Sequence, residues 1–271
     1  MQPRDFLEPV KELAQAAGAA ILQVYGGDFH VSHKDDDSPL TKADLASNRI
    51  IVAGLRALAP DLPLISEEIA LPPYAERSQW PRYWLIDPLD GTREFVSRNG
   101  EFTVNIALID QRRPVLGVVY APVTGFTYAA AEGLGAMRQS GDGAPVPISV
   151  ASRAAVPPRV IGSRSHRGAS LDAYLAKLGE HEFLPMGSSL KFCRIAEGAA
   201  DLYPRLGPTS EWDTAAAQAV VEQAGGQVLS PDGKPLLYNT KEDILNGHFF
   251  VIGPRDRNWL QTAGNGHCEA R

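Results

Sequence analysis

Apolar side chains recur at helical spacing along residues 5–25, where Phe6, Val10, Leu13, Ala14, Ala17 and Ile21 share one face, and Gly26-Gly27 ends the run. The same spacing predicts a second amphipathic helix over 42–58, burying Ile51, Val52, Leu55 and Leu58 and stopping near Pro60. Between them lies a polar stretch, His30 to Pro39, with Asp35, Asp36 and Asp37 in succession. It reads as a solvated loop, or as a lid over a neighbouring site. Short apolar runs then predict strands over 62–65, 83–86, 102–110, 114–121 and 126–131. The last three alternate apolar and small or polar positions and are joined by short turns, as in an antiparallel meander. Gly141 to Pro147 and the pair Pro157-Pro158 mark a change of style. Beyond them strands and helices interleave: strand 159–163, helix 170–178, strand 182–185, helix 189–198, strand 200–204, helix 212–224 and strands 227–230 and 249–252. The expected organisation is a first lobe over 1–150, a second α/β lobe over 151–255 and a flexible tail over 256–271.

The chain has 271 residues, no internal repeat and no low-complexity block. Its 26 Lys plus Arg against 32 Asp plus Glu give a formal charge of -6, which argues against duplex or other bulk nucleic-acid binding, since that requires clustered cations. A small anionic substrate held by a few focused cations remains compatible. Asp5, Glu8, Lys11 and Glu12 interrupt any export-signal pattern at the start, and no run reaches the roughly 18 apolar residues of a membrane span. Cys193 falls in a helical pattern and Cys268 in a Gly/Asn-rich tail, so no disulfide is expected and a reducing cytoplasm fits.

The informative feature is where carboxylates stand. Glu67 and Glu68 end one predicted strand; Asp87 and Asp90 follow the next, in Trp84-Leu85-Ile86-Asp87-Pro88-Leu89-Asp90-Gly91-Thr92; Asp213 precedes an Ala-rich helix. Acids at the ends of apolar strands need a cation or hydrogen-bond donors, and several converging acids suggest hard divalent cations with oxygen ligands. Pro88 holds Asp87 extended, so that one loop aims Asp87, the Leu89 carbonyl and Asp90 at a single point. Gly91 permits a close approach, and Thr92 to Phe95 open a short helix with free N–H groups. A plainer reading makes Asp90 a helix cap and Asp87 a turn residue. Haloacid-dehalogenase-type phosphatases also end a strand in Asp-x-Asp-Gly-Thr, but here the two acids are three positions apart and lie after about 85 residues. Zinc spacing, a Gly-x-Ser-x-Gly elbow and a Walker loop are all absent from the sequence.

Ser66-Glu67-Glu68, Asp87-Pro88-Leu89-Asp90-Gly91-Thr92, and Trp212-Asp213-Thr214-Ala215-Ala216 with Gly225-Gly226 resemble the three signatures of the inositol monophosphatase superfamily, over about residues 5 to 255. The resemblance implies an α+β fold, a layered α-β-α-β-α sandwich with an antiparallel N-terminal sheet and a smaller mixed C-terminal sheet. It further implies two or three Mg²⁺ held by Glu67, Asp87, the Leu89 carbonyl, Asp90 and Asp213, with Asp87 bridging. Metal-activated water would then attack in line without a phosphoenzyme. Asp44, Thr92 and Glu67 form the implied catalytic group: Asp44 accepts the Thr92 hydroxyl proton so that the threonine oxygen can take one from the water. A plainer reading makes Asp44 a cap of the second helix, and Glu68 is placed beside the metals without direct contact.

Further segments are similar to the CysQ-type 3'(2'),5'-bisphosphate nucleotidase branch: Arg93-Glu94-Phe95, 99–109, Gly117 to Pro122, Ser163 to His166, Gly187 to Phe192 and Leu202 to Arg205. That branch removes the 3'-phosphate of adenosine 3',5'-bisphosphate, a by-product of sulfate assimilation. The implied substrate contacts are Gly91, Thr92, His166, Ser188, Lys191 and Arg205, with Gly187-Ser188 expected to open a helix. A second phosphate needs cations away from the metals, and Lys191 and Arg205 meet that need; each alone could equally be a solvated or structural charge. Alternatives are an inositol- or sugar-phosphate phosphatase of the same superfamily, and a silent nucleotide or metal sensor. The resemblance also implies lithium sensitivity, a monomer or dimer, and a cytoplasmic protein with at most weak peripheral attachment to the inner membrane face.

Overall fold

Two helices open the chain because their apolar positions fall on single stripes. A 3-10 turn, Pro3–Phe6, runs into α1 (Leu7–Tyr25), which buries Val10, Ala14, Ala17 and Ile21. α2 (Lys42–Leu58) buries Ile51, Val52 and Leu55, and continues the same stripe with polar Asp44, Ser47 and Asn48. The computed structural model describes residues 1–27, 42–164 and 168–260, together with the backbone of β1 (Ser32–His33) and β2 (Pro39–Leu40), which pair antiparallel. The acidic run at 35–37 therefore lies outside the described residues, as do His166 and Cys268.

A seven-stranded sheet follows in sequence order. Its strands are β3 (Leu64–Ser66), β4 (Arg82–Asp90), β5 (Thr103–Asp110), β6 (Arg113–Ala121), β7 (Phe126–Ala131), β8 (Gly135–Ser140) and β9 (Val146–Ile148). All neighbours are antiparallel except β3 and β4, which run parallel across a connection containing the short helix α3 (Tyr74–Arg77). Two strands were not expected. β8 and β9 are rich in Gly, Pro and polar residues, and only Ala136 among them is buried, so they carry almost no apolar alternation. β4 also runs further than expected. It continues through Pro88 to Asp90, and its register against β5 shifts between Asp87, paired with Asn105, and Asp90, paired with Thr103. Proline has no N–H to give a ladder and is tolerated at such an irregularity.

After α4 (Thr92–Val96) and the first sheet, a five-stranded mixed sheet has the order β11-β10-β12-β14-β13. Its strands are β10 (Arg159–Ser163), β11 (Glu182–Met186), β12 (Leu202–Arg205), β13 (Gln227–Leu229) and β14 (Phe249–Ile252). The remaining helices are α5 (Ala169–Leu178), α6 (Leu190–Ala196) and α7 (Ala215–Gln223).

Three apolar clusters define the layers. One joins α1 and α2 to the outer face of the large sheet. The second fills the space between the sheets, where α6 and α7 lie. The third places Leu171, Tyr174 and Leu175 of α5 on the far face of the small sheet, against Val160, Leu202 and Phe250. The result is helix, sheet, helix, sheet, helix. Trp259 belongs to the third cluster and its indole N–H donates to the Pro254 carbonyl at 2.8 Å, so the chain stays packed to at least that residue, past the expected start of a tail. Among the described residues no helix is long and apolar enough to cross a membrane, and Cys193 is a buried free thiol.

The seat of α7 on the large sheet is tight. A Cβ on Gly117 of β6 would lie 2.0 Å from the Ala216 carbonyl oxygen, a backbone atom with no rotamer escape. Gly117→Ala is therefore expected to destabilise by about 1–3 kcal/mol, as overpacked cores do, and to lower the thermal midpoint by several degrees. Calorimetry checks this; an unchanged midpoint would mean that α7 can slide.

Candidate active site

The strand irregularity at the end of β4 places two acids. The Pro88 carbonyl accepts the buried Ser47 hydroxyl of α2 at 2.7 Å, and the Leu89 N–H donates to Asp87 Oδ1 at 3.0 Å while the Leu89 side chain sits in the core. Ser66 Oγ donates to Asn48 Oδ1 at 2.8 Å, and the Glu67 N–H reaches the Ile86 carbonyl at 3.3 Å. The polar end of the α2 stripe thus aligns Glu67 with Asp87. Asp44 lies on that same stripe with no exposure to solvent, and it is close enough to help push the Asp87 pKa upward. Gly91 caps α4 at φ 94, a left-handed conformation, and a Cβ there would crowd the Glu101 carbonyl. Asp90 is therefore not the cap that the plainer reading made it.

The start of α6 reaches Asp90 through Ser189. Its N–H and its hydroxyl contact Asp90 Oδ2 at 2.6 and 2.8 Å, and its oxygen lies 2.9 Å from the Asp213 carbonyl. Asn105 Nδ2 donates to the same Ser189 oxygen at 2.9 Å. Asp213 stands in the turn before α7, its Oδ2 accepting the Ser210 N–H at 2.9 Å. Ser189, Asn105, Ser47 and Asn48 were not singled out from the sequence. The available signals were polar residues at buried positions: Ser47 and Asn48 on an apolar helix stripe and Asn105 inside an apolar strand. Ser189→Ala leaves Asp90 with one donor in place of two. It is expected to reduce turnover about 10- to 100-fold, the usual effect of removing a group that orients a ligand side chain; initial rates at saturating metal check this.

Ser188 does not open the helix as expected. It has φ 46, Ser189 is the N-cap of α6, and the Ser188 carbonyl accepts Lys191 Nζ at 2.6 Å. Lys191 is not a solvated charge either: it is 6% exposed, with Nζ 5.4 Å from the Tyr203 ring centre. Burial lowers its pKa to about 8, against the pull of Asp90 and with a further push from Arg205. Arg205 donates to the Pro208 carbonyl and makes no ion pair among the described residues. One cleft of about 240 Å³ is lined by Asp90, Gly91, Thr92, Ser188, Lys191, Arg205 and Asp213, among others. Glu67, Asp87 and Asp44 are not part of that lining and are joined to it through their charges.

Those charges repel. The Asp87 pKa is raised well above the carboxylate range by burial, then by Glu67, Asp90, Asp213 and Asp44. Asp213 is raised by burial, then by Asp90 and Glu67. Burial also raises Asp90, with Lys191 and Ser189 opposing. Asp87, Asp90 and Asp213 are each held by protein donors through one oxygen, so the second oxygen of each is available to a cation. Among the described residues no three such side chains already close into a finished metal cage. Mutual repulsion opposes that closure and a divalent cation removes it. A set of hard carboxylate oxygens that destabilise one another when bare fits Mg²⁺.

The fold defines a phosphatase class, and the comparisons agree. The chain belongs to the inositol monophosphatase family, whose model matches residues 2–257. It is 53% identical over 247 residues to the 3'(2'),5'-bisphosphate nucleotidase CysQ of Escherichia coli K12, covering 90% of this chain and 98% of that one. Among solved structures, CysQ from Bacteroides thetaiotaomicron superposes with a TM-score of 0.80 at 41% identity, covering 92% of this chain and 97% of that one. Inositol monophosphatase from Anabaena gives 0.74 at 27% identity, with 96% and 95% covered.

Proposed function

We propose that this chain is a Mg²⁺-dependent 3'(2'),5'-bisphosphate nucleotidase that removes the 3'-phosphate of adenosine 3',5'-bisphosphate to leave AMP. The observation that carries this reading is a single cleft lined both by acids, Asp90 and Asp213, and by cations, buried Lys191 and Arg205. Two phosphates of one nucleotide need those two environments; an inositol ring needs only the first.

Glu67, Asp87, Asp90, Asp213 and the Leu89 carbonyl would hold the cations. When bound, these supply Lewis-acid activation of water and neutralise charge on the phosphoryl group. The chain's own residues do the rest. Lys191 and Arg205 grip the phosphate that is retained, one as a point charge and one as a fork. Ser188, Gly91 and Thr92 line the same cleft. Asp44 takes the Thr92 hydroxyl hydrogen, leaving the threonine oxygen to accept a proton from the attacking water; a hydroxyl alone is too weak a base.

The test is phosphate release from adenosine 3',5'-bisphosphate, inositol 1-phosphate and fructose 1,6-bisphosphate side by side. The nucleotide should be preferred at least tenfold in kcat/KM, with activity lost in EDTA and inhibited by millimolar Li⁺. Equal or faster turnover of the polyol phosphates would defeat the assignment.

A further inference from the structure

The connection from β3 to β4 begins at Glu67 and contains Arg77, whose side chain is fully buried. Arg77 does not line the cleft, yet it is bonded to the segment that leads to the Asp213 turn. Its Nη1 donates to Asn239 Oδ1, and its Nη2 donates to the Glu242 carbonyl and to the Lys241 carbonyl, the latter at 3.2 Å. Its own carbonyl accepts Asn239 Nδ2 at 2.6 Å. Asn239, held at φ 55, donates its N–H to Glu211 Oε2 at 2.8 Å. Glu211 is 1% exposed, and its carbonyl accepts the Thr214 hydroxyl at 3.1 Å and the Thr214 and Ala215 N–H groups at 3.2 Å each. Those bonds close the turn in which Asp213 stands. A continuous chain of buried hydrogen bonds therefore joins the connection that starts at Glu67 to the turn that carries Asp213.

We propose that Arg77 is a positioning residue that sets the separation of Glu67 and Asp213, clamping the Glu67 connection to Asn239 and, through Glu211, to the Asp213 turn. The inference rests on Glu67 and Asp213 being metal ligands. A guanidinium suits the role because its planar fork serves several acceptors at once from one fixed side chain, which an ammonium does not reproduce. Groups that orient metal ligands without touching the metal typically change affinity 10- to 100-fold when removed.

The experiment uses the full chain and Mn²⁺ as a probe, following the free-ion EPR signal, with the Mg²⁺ dependence of phosphate release measured alongside. Arg77→Met is expected to bind Mn²⁺ about tenfold more weakly and to need about tenfold more Mg²⁺ for half-maximal rate. The nucleotide KM at saturating metal should stay within about twofold, and Arg77→Lys should recover part of the affinity. Tyr174→Phe, on the far face of the small sheet, should lower the melting temperature without moving the metal curve, which separates positioning from general destabilisation. Folded Arg77→Met with wild-type Mn²⁺ affinity overturns the proposal. Should Arg77→Met fail to fold, Asn239→Ala cuts the same chain of bonds one residue further on. Weakened Mn²⁺ binding by folded Asn239→Ala then supports the proposal, and unchanged binding overturns it. Wild-type protein that binds no Mn²⁺ overturns instead the reading of the acids as ligands.

Discussion

Asp87→Asn is expected to reduce phosphate release by about 10³-fold or more, while raising the thermal midpoint of the metal-free protein. Both effects come from one charge. Asp87 is raised by burial and then by four neighbouring carboxylates, Glu67, Asp90, Asp213 and Asp44. Asparagine keeps the Oδ1 that accepts the Leu89 N–H, so the strand end retains its shape and only the charge is lost. Losing one preorganised charge-stabilising group typically costs 10² to 10³ in kcat, and Asp87 would also help hold the cations that activate the water. Relief of repulsion in the metal-free state should contribute about 1 kcal/mol, or roughly 2–4 °C in a chain of this size. Differential scanning fluorimetry in EDTA and then in Mg²⁺ reads the second effect. Wild type should gain stability from Mg²⁺ by mass action, and the variant should gain much less. A variant with near wild-type turnover, or one less stable than wild type in EDTA, would contradict the account of the acid cluster.

Lys191→Met should carry the second large effect, and it should fall on substrate choice. Methionine is close in volume and leaves the burial against Tyr203 intact, but it removes the one lysine that lines the cleft among the described residues. Removing one partner of a buried, hydrogen-bonded charge pair costs about 2–5 kcal/mol, so KM for the bisphosphate should rise on the order of 10²-fold. A nucleotide carrying the 3'-phosphate alone should be affected much less, since it has no second phosphate for Lys191 to hold. The pH dependence has a definite sign. Burial puts the Lys191 pKa at about 8 in the free protein, so the ammonium is intact below that value and is lost as pH rises through it. For the wild type, kcat/KM for the bisphosphate should fall above pH 8 toward the level of the variant. The variant should lack that limb. A bound phosphate favours the charged form and moves the same transition upward in kcat.

How much of the site was legible in the sequence depends on the distance over which each residue acts. Asp87, Asp90 and Gly91 share one short motif, and their roles as strand-end acids and as a glycine at positive φ followed from local chemistry. The α1 and α2 boundaries followed from a 3.6-residue period that survives in any context. β8 and β9 left no such trace, because edge strands bury one face weakly and tolerate polar residues on both. Ser188 and Ser189 could not be told apart by type. Which of them caps α6 and which carries the left-handed turn is decided by the contact of Ser189 with Asp90, 99 positions earlier. The bond between Arg77 and Asn239, 162 positions apart, has no sequence signature at all.

The chain alone determined the long helices and the apolar strands, the three acidic motifs and the family they resemble, because each rests on periodicity or on neighbours within a few residues. Only the tertiary structure decided that Lys191 is buried, that Ser189 holds Asp90, and that α2 lends its polar end to the strand carrying Asp87. Burial, and the electrostatic work of placing like charges together, are properties of groups brought close by folding, and their strength depends on separation in space rather than along the backbone.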